Sequence, residues 1–495
     1  MSFKLNARPL LGVLALAACF VAPATAGAVS LQEALNAARV NDPAFRAAAA
    51  ERKAGKLNEV IGRSLLLPSV VANYSEGKAK YDREFLGGTN TTTQTSDVDL
   101  KSYSIQLRQP LYSLDAASRY DLGQELAEEA DYIYQFNEFD LIQRIATAYI
   151  EVLIALEQLN AANAQKLALA ESLKLTQKQK AGGESSRLDV LDVTAKHDLA
   201  KAQHMEAQHD LESKVKNLEG LTGLVVVNIA GATDEYIPAL PENTVYDNLR
   251  QQMLAANPEI LVARSRIDQA KIQKKRAFAG HTPRVDFVAV KSLSENDTVN
   301  TINQITDSEV MQVQMQLPLF SGFGTTAQVD QADEKVRQEK AALDEMVLQK
   351  DTELRKAYSQ CLLGKQKIEA YKQAVYSANE AVKAARLGQS AGLRVQLDEL
   401  NALQQLYQTQ RDYVRTRYET MTALLKLKLL TGAGGRRILQ RLQDSALLAG
   451  ASCDRSQDTP VTFRWKTTAM PQEIRSDLAG NPPETLATWW LLMAT

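Results

Sequence analysis

The feature that most restricts what this chain can become is that it is written twice. Asn41-Asp42-Pro43 recurs as Asn257-Pro258, Leu67-Pro68 as Thr282-Pro283, and Gln109-Pro110-Leu111-Tyr112-Ser113 as Leu317-Pro318-Leu319-Phe320-Ser321. Gly183 to Leu191 (GESSRLDVL) answers Gly392 to Leu400 (GLRVQLDEL), and Leu221-Thr222-Gly223 answers Leu430-Thr431-Gly432. Partners stay roughly 208 to 215 residues apart, so whatever one half builds the other must build again. The expected organisation is a first repeat over 27–223, a linker over 224–243 and a second repeat over 244–432.

Each half runs in the same order. A helix of about 35 residues (Leu31 to Leu66; Val245 to Gly280) ends at a proline, which disfavours helix in the residue before it. Hairpins are expected at about 69–111 and 284–319. Next comes a helix of about 65 residues (Ala116 to Lys180; Thr325 to Gln389), then a turn, then another helix of about 35. At 1.5 Å per residue the long helix spans on the order of 100 Å, and two shorter ones end to end match it. Ile133, Phe136, Leu141, Ile145, Ala148 and Val152 recur at three and four, as packing along a neighbouring helix requires. A coiled-coil scaffold without transport would carry the same stripe.

The second strand of each hairpin alternates. Tyr103, Ile105 and Leu107 oppose Ser102, Ser104, Gln106 and Arg108, while Met311, Val313, Met315 and Leu317 oppose Gln312, Gln314 and Gln316. A strand between lipid and a watery lumen has this period, and so does a half-buried strand of a soluble sheet. The first strands (Ser69 to Gly77; Arg284 to Val290) alternate less well. The polar stretches Gly87 to Asp99 and Ser292 to Asp307 are expected to be external loops.

Residues 1–26 run from a basic start (Lys4, Arg8) through an apolar stretch, Leu10 to Val21, to Ala24-Thr25-Ala26, the order of a secretory signal peptide. Leu16-Ala17-Ala18-Cys19 is a competing lipoprotein site, and the placement of Ala-x-Ala favours cleavage before Gly27. No later stretch of about 18 apolar residues exists, so entry into a membrane would have to be by strands. Four strands cannot close a barrel, and an open edge in lipid leaves backbone groups unpaired, so the chain must oligomerise to insert. Two copies give eight strands, which side chains fill; three give twelve and a lumen.

A net charge of -2 supplies no basic surface for nucleic acid. Cys361 and Cys453 are isolated and suggest neither a staple nor a metal site. His197, His204 and His209 share one helix without a ligand at i+4, and no nucleophile triad or phosphate loop is visible. Neither enzyme activity nor a cofactor is expected. Residues 433–495 hold all three tryptophans and four of the fourteen prolines without helical period. They fit a disordered extension or a frameshifted gene end, which the nucleotide sequence would separate.

Together SLQEALNAARVNDP, LLPSV, QPLYS, LPLFSGF, SSRLDVLD, LRVQLDEL and the two LTG closures make residues 28–432 resemble the TolC family of outer-membrane efflux and secretion channels. The resemblance implies a mainly α fold with a β-barrel part. Each protomer would give four strands and long coiled-coil helices in two structural repeats, and a homotrimer would form a 12-strand barrel on a periplasmic tunnel. It implies docking to a periplasmic adaptor (membrane fusion protein) and an inner-membrane ABC transporter or other pump. QPLYSLDAASRYDLG is similar to type I secretion members such as the alkaline-protease secretion component, with drug efflux as the alternative function.

Glycines in the two turns permit the positive φ that ends a helix. By resemblance Gly183, Arg386, Leu387, Gly388 and Gly392 are expected to meet the adaptor. Asp189 and Asp192 match Asp398 and Asn401, each pair three apart on one helical face, which alone would be a solvated surface. The resemblance implies a constriction ringed by Asp398, where like charges crowd and select cations. Asn401 stands where a second aspartate is common in the family, and Gln389 stands nearest the family's gate tyrosine. The resemblance also makes Arg394 the entrance arginine that holds the closed state, with Asp189 as its partner.

Overall fold

The computed structural model describes residues 29–85, 92–226, 229, 245–298, 301–391, 393 and 396–432. The leader with Cys19, Cys453, the segment 433–495, most of the linker, Gly392 and Arg394 lie outside them. The first repeat comprises α1 (Leu31–Asn41), α2 (Pro43–Ser64), β1 (Ser69–Phe85), β2 (Thr92–Tyr112), α3 (Leu114–Ala181) and α4 (Arg187–Thr222). The second comprises α5 (Tyr246–Ala256), α6 (Pro258–Phe278), β3 (Arg284–Thr298), β4 (Thr301–Gln316), α7 (Gly324–Ser390) and α8 (Gln396–Leu430), with a short 3-10 turn, Ala279–His281, between α6 and β3.

The expected 35-residue helices are each broken in two, at Asp42 and at Asn257. Both residues hold extended backbone (ψ 118° and 122°) because the following proline excludes helix there, and both then cap the next helix. Asp42 accepts from Phe45 N–H at 2.9 Å, and Asn257 accepts from Glu259 and Ile260 N–H at 3.0 and 3.3 Å. The same breaks receive the ends of α4 and α8. Asn41 Nδ2 donates to the Thr222 carbonyl at 2.8 Å, and Asn257 Nδ2 donates to the Leu430 carbonyl at 3.1 Å. The two repeated motifs of each half, the Asn/Asp-Pro and the Leu-Thr-Gly, therefore meet in space. Gly223 and Gly432 end their helices with φ of 69° and 67°, and a Cβ on either would lie within 2.8 Å of Asn41 or Ala256.

The strands are longer than expected and the loops shorter. β1 to β4 form one antiparallel sheet in chain order, pairing Ser69↔Arg108 through Phe85↔Thr92 and Arg284↔Gln316 through Thr298↔Thr301. Most of Gly87 to Asp99 and of Ser292 to Asp307 is thus strand, because Thr-rich sequence suits a ladder whether or not either face is apolar. At the other end the sheet reaches Tyr112 and stops at Gln316, short of residue 319. The register puts Val70, Ala72, Tyr74, Tyr103, Ile105, Leu107, Phe287, Ala289, Met311, Val313 and Met315 on one face. Tyr103, Ile105, Met311, Val313 and Met315 are 49 to 77% exposed, so a single protomer leaves this apolar face uncovered.

Among the described residues no helix is long and apolar enough to cross a membrane. The main core lies where α1, α3, α4 and α8 meet, built on Leu35, Leu141, Ile145, Val152, Leu218 and Leu425. A second core joins α5, α6, α7 and α8 through Met253, Ile260, Leu354 and Leu424. Each such aliphatic side chain contributes about 1.5–3 kcal/mol on burial. Of the expected stripe, Leu141, Ile145, Ala148 and Val152 are buried, but Phe136 is exposed. Over 68 residues the contact face of α3 drifts as its neighbours change, so no single stripe is buried throughout.

Candidate functional site: a two-hairpin tip and a polar concavity

α3 with α4, and α7 with α8, pack as two antiparallel helical hairpins, and α3 also packs on α8. At the first tip α3 ends at Ala181, and Gly183 (φ 81°) donates to the Lys180 carbonyl at 3.1 Å. α4 restarts on a capping box. Asp189 N–H donates to Ser186 Oγ at 3.1 Å, and the Asp189 carboxylate accepts from Ser186 N–H at 2.8 Å and from Ser185 Oγ at 3.2 Å. The Ser186 N–H and the two serine hydroxyls hold the Asp189 carboxyl below its usual range. Asp189 therefore has a local structural duty that its spacing from Asp192 did not reveal.

At the second tip the helix runs on past its first glycine. Gly388 lies inside α7, which continues to Ser390, and its carbonyl accepts from Leu393 N–H at 2.8 Å. Helix hydrogen bonding outlasts the glycine because its φ stays negative. Leu387 and Leu393 are 71 and 83% exposed, so the tip presents apolar side chains to solvent. Arg386 turns back along its own hairpin, its Nε donating to the buried Glu399 at 2.8 Å. Glu399 was missed in the sequence, although it stands about as far after Gly392 as Arg386 stands before it, which is how antiparallel hairpin partners are found.

Asp398 and Asp192 are exposed. Asn401 is tied across the hairpins, with Lys196 Nζ of α4 donating to its Oδ1 at 2.8 Å. Burial pushes Lys196 below its usual range, and Asp192, one turn away on α4, acts in the opposite sense. Gln396 of α8 donates to Ser172 Oγ of α3 at 3.4 Å and to Thr176 Oγ1. Leu169, Val193, Ala200 and Leu400 pack beneath. Lys196 and Gln396 join the two hairpins near their tips, and neither was singled out in the sequence. Cross-hairpin contacts leave no local spacing to read.

Further up, α6 packs between α3 and α7, and these helices with the base of the sheet enclose a concavity of about 1170 Å³. Arg266, Gln269, Gln273 and Arg276 line it from one face of α6, and Arg284 and Gln316 line it from the sheet. The sheet face bearing Arg108, Gln106, Gln312 and Gln314 is the same one that bears Arg284 and Gln316. The polar sheet face and the polar helical concavity are thus continuous, and the apolar sheet face is turned away from both. Among the described residues no cluster able to hold a metal ion is present.

The Outer membrane efflux protein family matches residues 34–224 and 249–433, one match to each repeat. The alkaline protease secretion protein AprF of Pseudomonas aeruginosa is 32% identical over 444 residues, covering 88% of this chain and 91% of that one. The proteases secretion protein PrtF of Dickeya chrysanthemi is 31% identical over 425 residues, covering 84% and 91%. Among solved structures, the outer membrane protein VceC of Vibrio cholerae superposes with a TM-score of 0.68 at 18% identity, covering 81% of this chain and 96% of that one.

Proposed function

The chain belongs to the outer membrane efflux protein family, and from that premise we propose that it is the outer-membrane exit duct of a type I secretion system. It passes a protein substrate from an inner-membrane ABC transporter and its periplasmic adaptor to the exterior. The observation that carries this reading is similarity to two protease secretion proteins over nine-tenths of their lengths, on a fold that separates an apolar sheet face from a polar concavity. A duct needs no catalytic group. It needs a wettable inner wall and an outer wall that lipid accepts.

The sheet has two free edges, β1 and β4, which cannot stay open in hydrocarbon. In a homotrimer β4 of each copy meets β1 of the next, giving twelve strands. The exposed i, i+3, i+4 stripe Leu57, Val60 and Ile61 on α2 offers a further apolar surface for contact between copies. At the periplasmic end we assign Gly183, Arg386, Leu387, Gly388 and Gly392 to the adaptor contact, supported by the exposed leucines of the second tip. Asp398 forms the acidic constriction. The Lys196–Asn401 bond supplies closure where Asn401 cannot extend the acidic ring. Arg394 is assigned to the same closed state, although the Asp189 carboxylate is already engaged in its cap.

The test is secretion from cells carrying the cognate transporter and adaptor with this chain as the only exit duct. Substrate in the medium supports protein export. Retention of substrate in the cell, together with restored resistance to small toxic compounds, would move the assignment to small-molecule efflux.

A further inference from the structure

Where the sheet meets the helices, basic side chains outnumber the carboxylates that hold them. Arg108 of β2 donates to Asp286 Oδ2 through Nε at 3.2 Å and through a terminal nitrogen at 2.7 Å, and Arg284 of β3 donates to the same oxygen through Nε at 2.9 Å. Asp286 is 3% exposed, and its Oδ1 has no hydrogen-bond partner among the described residues. Immediately below, Asp115 of α3 is shared in the same way, by Arg119 at 2.9 Å and by Arg276 of α6 at 3.0 Å, each through Nε. Four guanidiniums therefore rest on two carboxylates. Elsewhere on the concavity the charges balance: Arg266 pairs with Glu129 at 3.0 Å, and Lys335 and Glu339 lie one turn apart on α7.

The two carboxylates act as clamps. They fix Arg119, Arg276 and Arg284 through Nε and Arg108 through Nε and one terminal nitrogen, while the side chains of all four remain 36 to 45% exposed. A planar guanidinium held by one edge offers its terminal N–H groups to a second anion in fork geometry. Arg276, Arg284 and Asp115 line the polar concavity and Arg108 lies on the same sheet face as Arg284, so the cluster borders the space through which cargo would move. Repeated around a closed oligomer, it becomes a basic ring on the inner wall, and low-dielectric walls focus its field.

We propose that Arg108, Arg119, Arg276 and Arg284 form an anion-binding collar at the junction of barrel and tunnel, and that its ligands are the carboxylates of an acidic stretch of the exported polypeptide. This rests on the export reading above. The collar engages such a segment after it has passed the entrance and holds it only transiently, because each carboxylate that arrives can replace the last.

The test uses the purified full-length protein in planar bilayers, with a ten-residue oligoglutamate added on the external side. Interruption of the current is expected in the native channel, with a half-blocking concentration about tenfold higher in Arg276→Gln and in Arg284→Gln. Arg284→Lys, which keeps the charge and the fold, is expected to fall between. Equal block of native and both glutamine variants would overturn the collar, as would equal block by oligolysine. Block by free glutamate at the same carboxylate concentration would overturn the polypeptide ligand. A protein that forms no channel at all would defeat the export reading itself, whereas a conducting channel with unaltered block defeats only the collar.

Discussion

Asp42 and Asn257 occupy equivalent places in the two repeats, and the difference between them is one charge. Asp42 is buried, which pushes its carboxyl up, but the Phe45 N–H and Arg144, 2.9 Å away, together outweigh burial and hold it below the ordinary 3.8. A depressed carboxylate contributes stability above its unfolded value, and that contribution is lost as pH falls through the folded value. The difference in melting temperature between the native protein and Asp42→Asn should therefore shrink as pH is lowered from 6 to below about 4. A constant difference would contradict the ion-pair account. Gly223→Ala forces a side chain into φ 69° and against Asn41, and should cost about 1–2 kcal/mol in urea unfolding. At this scale the sequence marked Pro43, Pro258 and the two Leu-Thr-Gly motifs as landmarks. It did not show that they touch, since contact between residues 181 apart leaves no local pattern.

Among the elements, the breaks at Asp42 and Asn257 follow from proline chemistry, and the lengths of α3 and α7, 68 and 67 residues, were legible from uninterrupted helical composition. The strands were legible only where one face is apolar. Beyond Lys101 and Ser292 the ladder continues through polar sequence that alternation cannot distinguish from loop. The candidate entrance residues were found by their place in the repeat, but their partners were not. Asp189 spends its carboxylate on a cap, Arg386 spends its guanidinium on Glu399, and Asn401 is held by Lys196. If the Lys196–Asn401 bond restrains the two hairpins, Lys196→Ala should raise the closed-state conductance in planar bilayers several-fold. Glu399→Gln, which weakens a bond within one hairpin, should change it less. An unaltered current in Lys196→Ala would remove this bond from the closure mechanism.

For the molecule as a whole, duplication determines the count of four strands, and the chemistry of an open edge in lipid demands more than one copy. The number three was not legible in the chain by physics alone. It came from resemblance, and membership of the outer membrane efflux protein family supports it. The division of labour between the two surfaces is visible in the protomer, with apolar residues outside the sheet and glutamines and arginines inside. That division gives the most direct test of the duct, which is site-specific photocrosslinking during export. A crosslinker at Gln273 faces the concavity, and one at Lys271, on the opposite side of α6, does not. With a substrate stalled in transit, the account predicts a covalent adduct to the substrate from position 273 and none from position 271. Adducts from 271 alone, or equally from both, would contradict passage through the concave wall.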